Sequence, residues 1–180
     1  MKTIGFAICG SFCTFKSVFK EIENLTSLGY DVVPIMSENA FSFDTRFGEA
    51  KYWQDEFRKI TKKDIIHTIK DAEPIGPKKL LDLLVIAPCT GNTLAKLANG
   101  ISDTSVTLAT KAHLRNARPL VIAVSTNDAL SGAGKNIGNL LNYKNTYFVP
   151  FRQDSFKNKP CSCVADFTLL PKTIENALNG

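Results

Sequence analysis

An uninterrupted apolar run that ends in a cluster of small polar residues is the feature of this chain that most restricts its fold. The run is Leu83–Ala87, and a strand of this composition is typical of a parallel sheet covered on both faces. Pro88 is expected to end the strand, and the turn Cys89–Thr93 leads into a helix with apolar residues at helical spacing. Because such turns lie at the carboxyl edge of a parallel sheet, the pattern predicts a ligand site there.

The ends of this helix are marked by residues that favour caps. Asn92 or Thr93 is expected to cap the first turn, and Gly100 stands where a left-handed C-terminal cap belongs. The N–H groups at a helix start have no partner inside the helix, so they favour an anion or the polar edge of a ring.

The rest of the chain alternates strand and helix patterns. Strand Thr3–Cys9, helix Phe15–Leu28 and strand Asp31–Met36 make a parallel βαβ unit. Further strands are expected at Ile65–Ile66, Leu120–Val124 and Thr146–Val149. Six strands that alternate with helices predict a three-layer α/β fold, Rossmann-like or flavodoxin-like, with a six-stranded parallel sheet. A length of 180 residues predicts one domain spanning residues 1–180.

Composition and charge exclude several classes of protein. The net charge of +5 comes from scattered basic residues without a run of five, so no nucleic-acid surface is expected. No apolar stretch approaches the ~20 residues of a membrane span, and the first ten residues, broken by Gly10, are too short for a signal peptide. The spacing of the five cysteines and two histidines fits no zinc site, so we expect no bound metal. An odd number of cysteines in a chain of this length disfavours a disulfide framework, so we expect a reducing, cytoplasmic location.

Three more polar turns follow predicted strands. The first holds Gly10, which permits close backbone approach, and Ser11, which offers a hydroxyl; Ser37 follows the second strand and Ser125–Asp128 a later one. The first turn lacks both G-x-G-x-x-G and a P-loop, so NAD or FAD binding in the dinucleotide mode is disfavoured. We expect all four turns to border one cleft.

The central segment also resembles a known family. A-P-C-T-G-N-T-L-A-K-L-A-N-G-I-S-D is similar to the A-P-A-T-A-N-T-x-A-K-x-A-x-G-x-A-D signature of the homo-oligomeric flavin-containing cysteine decarboxylase superfamily. The resemblance implies that FMN binds at this turn, with its phosphate at the first two strand ends and its ring at the central turn. The implied cofactor-binding residues are Gly10, Ser11, Ser37, Ala87, Pro88, Thr90, Asn92 and Thr93.

Two positions matter for what the resemblance implies about chemistry. Asn127 matches the asparagine that relatives place on the substrate carboxylate. Pro74 stands where the decarboxylases carry their histidine base, and proline has no titratable group, so decarboxylation is disfavoured. The catalytic residue is left unknown, and the weak candidates for a base are Asp128, Lys135 and His67.

The stretches P-I-G-P-K-K-L-L-D, A-x-S-T-N-D-A-L and Y-F-V-P-F-x-Q-D resemble one branch of this superfamily. Its members are one subunit of a two-subunit synthase, active in the mother cell of a sporulating bacterium. The resemblance implies FMN here, NAD(P) on the partner subunit only, a small dicarboxylate substrate and a homo-oligomer, either a trimer or a dodecamer. The alternatives are a substrate-binding or partner subunit without flavin, and an FMN-dependent decarboxylase or flavin prenyltransferase.

Three segments allow more than one interpretation. The aromatic residues between positions 41 and 57 form either core or a wall beside a flat ring or a subunit contact. Ser131–Lys135 is either a mobile lid or a plain connection. Cys161 and Cys163 lie in a polar segment, Pro150–Ala165, and the sequence assigns them no role.

Overall fold

The computed structural model describes residues Met1–Gly180, which form a seven-stranded sheet between two layers of helices. The strands are β1 (Thr3–Ile8), β2 (Asp31–Met36), β3 (Leu83–Cys89), β4 (Leu120–Thr126), β5 (Thr146–Phe148), β6 (Phe151–Ser155) and β7 (Lys159–Ala165). The helices are α1 (Phe15–Ser27), α2 (Glu38–Ser42), α3 (Ala50–Thr61), α4 (Ile69–Ala72), α5 (Gly91–Ala98), α6 (Ser105–Leu114), α7 (Gly134–Leu141) and α8 (Leu170–Asn179). None of these helices is long and apolar enough to cross a bilayer.

The strand order is β2-β1-β3-β4-β7-β6, and β5 also pairs with β4. Strands β1 to β5 are parallel to one another, whereas β7 is antiparallel to β4 and β6 is antiparallel to β7. Two strands share one edge of β4: β5 pairs with its first half, and β7 pairs with Ser125 and Thr126 at its end. The predicted α/β class is confirmed, but the sheet has five parallel strands and an antiparallel hairpin instead of six parallel strands.

Two segments account for that difference. Ile65–Ile66 contributes a single bridge from Ile66 to Ile35 and not a strand. Pro150–Ala165, for which the sequence indicates only a polar segment, forms the β6–β7 hairpin. Most residues of β6 are exposed, so its sequence lacks the apolar alternation from which strands are recognised.

Strand β3 does not end at Pro88 as predicted but continues to Cys89, and the Ala87–Pro88 peptide is cis. The pairing of β3 with β4 shifts register between Ile86 and Cys89. Proline has no N–H to donate, so the regular ladder cannot run through this position. Gly100 follows α5 with a φ of 69°, which confirms the predicted left-handed cap.

The apolar spacing predicts a helix from Asp44 or Thr45 to about Ile60, but the residues before Ala50 form a turn. The Asp44 carboxylate accepts the N–H of Ala50 at 2.8 Å, so α3 begins only there. Thr45 and Gly48 exchange backbone hydrogen bonds of 3.1 and 3.0 Å. This pairing leaves Arg46 and Phe47 at the tip of a two-residue turn. We call residues 44–49 the Arg46 turn.

Two short segments near the site differ from what their sequences predict. The polar residues after β2 predict a loop at Ser37–Phe43, but Ser37 caps the short helix α2 by accepting the N–H of Ala40 at 3.2 Å. The stretch Pro74–Pro77 predicts a rigid turn into a short helix at Lys78–Leu81, but the chain forms turns there after a 3-10 helix at Glu73–Ile75.

Apolar side chains fill both faces of the sheet. One core cluster joins α1, α3 and α8 to the sheet, and the other joins α4, α5, α6 and α7. Trp53 and Phe57 belong to the first cluster, where Trp53 packs edge-on against Phe15 at 5.4 Å between ring centroids. Phe43, Phe47 and Tyr52 are exposed, so the aromatic segment divides between core and surface.

His113 makes stability depend on pH. It is 1% exposed, and its Nε2 lies 2.9 Å from the Pro119 carbonyl oxygen. Burial lowers its pKa below the usual 6.5. The unfolded chain then binds a proton more readily than the folded chain, so the free energy of unfolding should fall as pH drops below 6.5.

Denaturant unfolding at pH 7.5 and 5.5, compared between the parent chain and His113→Gln, should show a smaller loss in the variant. His67→Gln is the control, since the chain has two histidines and His67 is only half-buried. Equal pH dependence in the parent and His113→Gln would contradict this prediction.

Candidate ligand site at the carboxyl edge of the sheet

Two adjoining cavities lie at the carboxyl ends of β1, β2, β3 and β4. The larger has a volume of about 700 Å³ and the smaller about 490 Å³, and both are lined by Gly10, Thr90 and Asn92. Ser11 and Asn127 line the larger cavity, whereas Ser37 and Thr93 line the smaller. The structure therefore brings the polar turns together around one rim, although Ser11 and Ser37 open into different cavities.

Four of the residues singled out from the sequence do not reach either cavity. The side chain of Ala87 is completely buried and Pro88 is buried, because β3 is covered on both faces, so neither side chain offers a contact for a ring. His67 stacks on Phe41 at 3.8 Å between ring centroids, and Lys135 is exposed at the start of α7. Of the three weak candidates for a base, only Asp128 lines the larger cavity.

The central turn is held by a hydrogen-bonded pair of threonines. Thr90, and not Asn92 or Thr93, caps α5: its hydroxyl oxygen accepts the N–H of Thr93 at 3.4 Å. The Thr93 hydroxyl lies 3.1 Å from that of Thr90 and donates to the Cys9 sulfur at 3.3 Å. These bonds tie the end of β1 to the start of α5, and Asn92 is left exposed at the rim of both cavities.

The floor of the larger cavity spans three strand ends. The Ser11 and Ser125 hydroxyls lie 2.8 Å apart, which links the turn after β1 to the end of β4. The Thr126 hydroxyl donates to the Asp128 carboxylate at 2.6 Å. A Cβ atom at Gly91 would lie 2.6 Å from the Thr126 hydroxyl and 2.7 Å from the Asp128 carboxylate, so a larger residue here would displace these two side chains.

The wall opposite the central turn comes from the β6–β7 hairpin, which sequence reasoning did not place in the site. Lys159 donates to the Asp154 carboxylate at 2.9 Å. Ser162, Cys163 and Val164 complete the wall. The only recognisable pattern in this segment is C-S-C, and it lacks the alternation of apolar and polar residues that would predict a strand.

The buried thiols stay protonated near neutral pH. Burial raises the pKa of Cys9 to about 11, although the hydrogen bond from Thr93 opposes the shift. Burial also raises the pKa of Cys89 well above its usual value and raises that of Cys163. No three His, Cys, Asp or Glu side chains lie close enough together to hold a metal ion.

The smaller cavity holds paired charges beside neutral donors. Lys96 pairs with Asp103 at 2.8 Å, and the Glu38 carboxylate accepts the N–H of Ser105 at 3.0 Å. The Ser37 hydroxyl oxygen already accepts the N–H of Ala40, which leaves its own proton free to donate. An anion here would be held by hydroxyl and N–H groups and not by a free cation.

The chain belongs to the Flavoprotein family, whose profile matches residues 1–153. It is 48% identical over 177 residues to the dipicolinate synthase subunit designated B of Bacillus subtilis strain 168, a match that covers 98% of this chain and 88% of that protein. The crystal structure of the corresponding dipicolinate synthase subunit from Bacillus halodurans superposes with a TM-score of 0.91 at 45% identity. That superposition covers 99% of this chain and 92% of the other.

More distant structures share the fold alone. The FMN-dependent cysteine decarboxylase SpaF superposes with a TM-score of 0.72 at 21% identity, over 98% of this chain and 97% of the other. The three-layer α/β architecture that the sequence predicted is thus found in the family and beyond its close members.

Gly91→Ala tests the close approach at the floor of the cavity. The added methyl group would displace the Thr126–Asp128 pair, and such overpacking costs about 1–3 kcal/mol of unfolding free energy. Gly138→Ala is the control: it lies within α7 with nothing within 4 Å, so alanine should stabilise by roughly 0.5–1 kcal/mol. Chemical denaturation of both variants measures the difference, and a stable Gly91→Ala protein would contradict the described contact.

Thiol labelling tests the environments of the five cysteines. Cys13 is exposed in the larger cavity, whereas Cys9 and Cys89 are buried and their pKa values are raised. Iodoacetamide at pH 8 followed by mass spectrometry should modify Cys13 first and leave Cys9 and Cys89 unmodified until the chain unfolds. Cys13→Ser should remove the fastest phase, and early labelling of Cys9 would show that the β1–α5 contact is open.

Proposed function

We propose that this chain is the flavin-binding subunit of a two-subunit enzyme that makes dipicolinate, acting with a nicotinamide-dependent partner in the mother cell of a sporulating bacterium. The observation that carries the proposal is 48% identity to one subunit of a dipicolinate synthase along nearly the whole length of both chains. The polar cavities at the carboxyl edge of the sheet support it, because ligands of open α/β sheets bind at that edge.

The donors around the shared rim fit a phosphorylated flavin. Gly10 lines both cavities, with Ser11 in the lining of the larger cavity and Ser37 in that of the smaller, and the start of α5 presents N–H groups beside Asn92. A cofactor whose phosphate lies at Gly10 could extend into the larger cavity, whose volume of about 700 Å³ falls within the range of cofactor pockets. When bound, FMN would supply the capacity to accept a hydride from a dihydropyridine-level substrate.

In this proposal, the residues of the chain bind and orient the cofactor and the substrate. The Asn92 amide and the N–H groups of Gly91 and Asn92 face the position of a ring edge, and each neutral hydrogen bond contributes ~0.5–1.5 kcal/mol. The exposed Asn127 lies across the cavity and is assigned to a substrate carboxylate. Asp128 is held by Thr126, which fixes its carboxylate at the cavity floor.

A subunit that binds substrate or shapes the partner's site without flavin is a second candidate. It is favoured by the burial of Ala87 and Pro88, two of the residues implied for FMN, which line neither cavity and offer no side-chain contact to a ring. Decarboxylation has less support: Pro74 lies in the 3-10 helix Glu73–Ile75 and lines neither cavity.

Assembly is part of the proposal. The family resemblance implies a homo-oligomer, either a trimer or a dodecamer, and several exposed large apolar side chains support a contact between copies. They include Leu130, Leu141 and Phe156 at 58%, 57% and 71% exposure. Light scattering of the purified chain measures the mass.

A visible spectrum separates the two candidate functions. After incubation with FMN and removal of free cofactor, the chain should keep flavin absorption, and Ser11→Asp should lose it, because a carboxylate at that position repels the phosphate. Ser17→Asp adds the same charge on an exposed position of α1 outside both cavities and should keep FMN. A colourless protein after loading would support the flavin-free candidate.

A reconstituted assay tests the role as a subunit. Dipicolinate formation from a dihydrodipicolinate-level substrate should require both this chain and the nicotinamide-dependent partner, with neither active alone. Full activity of the partner by itself would remove the proposed role.

A further inference from the structure

The Arg46 turn contributes an aromatic ring to the lining of the larger cavity and stacks a cation on that ring. Asp44, Thr45 and Gly48 fix the turn through the hydrogen bonds described above, and Gly48 packs so closely on Trp53 that a Cβ atom there would lie 2.6 Å from the indole nitrogen. The turn is therefore anchored on the core, and its tip is held in place.

The guanidinium of Arg46 is available to a ligand. Its central carbon lies 4.8 Å from the centroid of the Phe47 ring, and Phe47 lines the larger cavity. Arg46 takes part in none of the nine salt bridges of the chain. Stacking on Phe47 orients the planar donor fork without occupying its N–H groups.

The larger cavity would repel an anion if Arg46 were absent. Lys159 is neutralised by Asp154 at 2.9 Å, and Asp128 adds a further carboxylate. Arg46 stacks on Phe47, which belongs to the cavity lining, and this contact places its charge beside the mouth of the cavity. A dianionic ligand therefore needs Arg46 to offset the carboxylates that line the cavity.

A second, independent feature points to a polar ligand in this cavity. Ser162 is 4% exposed and lines the cavity, and its hydroxyl makes no hydrogen bond within the chain. The hydroxyl oxygen is accessible from the cavity, so Ser162 offers a donor and an acceptor to a ligand there. Asn127 follows Thr126, which pairs with Cys163, so its amide offers a further donor beside Ser162.

We propose that Arg46 binds one carboxylate of a planar dicarboxylate while Asn127 holds the other, so that Arg46 sets the selectivity for diacids over monoacids. The substrate class rests on the proposed function above. The selectivity itself rests on the placement of the Arg46 turn. Arg46 acts as a binding residue and transfers no proton.

Calorimetric titration of the full chain with pyridine-2,6-dicarboxylate and with pyridine-2-carboxylate tests the proposal. The parent chain should bind the diacid at least tenfold more tightly, and Arg46→Gln should lose that preference while keeping its affinity for the monoacid. Arg46→Lys should recover part of the preference, because it keeps the charge but loses the planar fork. Arg115→Gln removes an exposed arginine that lines neither cavity of the site and should match the parent.

Three outcomes would overturn the proposal. Equal diacid affinity of Arg46→Gln and the parent would remove Arg46 from the site and leave the proposed function intact. Absence of diacid binding in the parent would also overturn it, and dipicolinate formation in the reconstituted assay would then show that the partner holds the substrate. A loss of binding accompanied by a change of mass in light scattering would assign the Arg46 turn to a contact between copies.

Discussion

The bonds between Thr90, Thr93 and Cys9 are the interaction on which the site depends. They cap α5 and at the same time join it to the end of β1, so two neighbouring strand ends are fixed relative to each other. With that link in place, Gly10 and Asn92 border both cavities, and the N–H groups at the start of α5 point toward the edge of the sheet. The polar turns of the site are thus positioned by a short hydrogen-bond network at the end of the fully buried strand β3.

The floor of the site could be predicted from sequence because its elements have strong local patterns. Leu83–Ala87 is apolar throughout, polar residues follow it, and the helix beyond has regular spacing, so the strand, turn and helix are each recognisable. Local sequence patterns alone, however, could not show which residue caps α5. Thr90, Asn92 and Thr93 are all acceptable caps, and the bond from Thr93 to Cys9, 84 residues away, decides among them.

The wall could not be predicted in the same way. Residues of β6 are largely exposed, and β7 contains proline, cysteine and serine without apolar alternation. Its pairing with Ser125 and Thr126 is a tertiary contact that no local pattern encodes. The Arg46 turn is likewise concealed by a helical pattern that extends upstream of Ala50, where the bond from Asp44 sets the boundary.

One edge of β4 pairs with β5 over its first half and with β7 at its end. This division separates the parallel sheet from the hairpin that lines the larger cavity. The parallel strands and their turns lie within residues 1–153, to which the family profile matches, whereas β7 lies entirely after them. Strand β7 is joined to β4 at only two residue pairs, so the hairpin is a small part of the pairing that holds the sheet. A change in this ribbon would therefore reshape the border of the cavity while leaving the parallel platform in place.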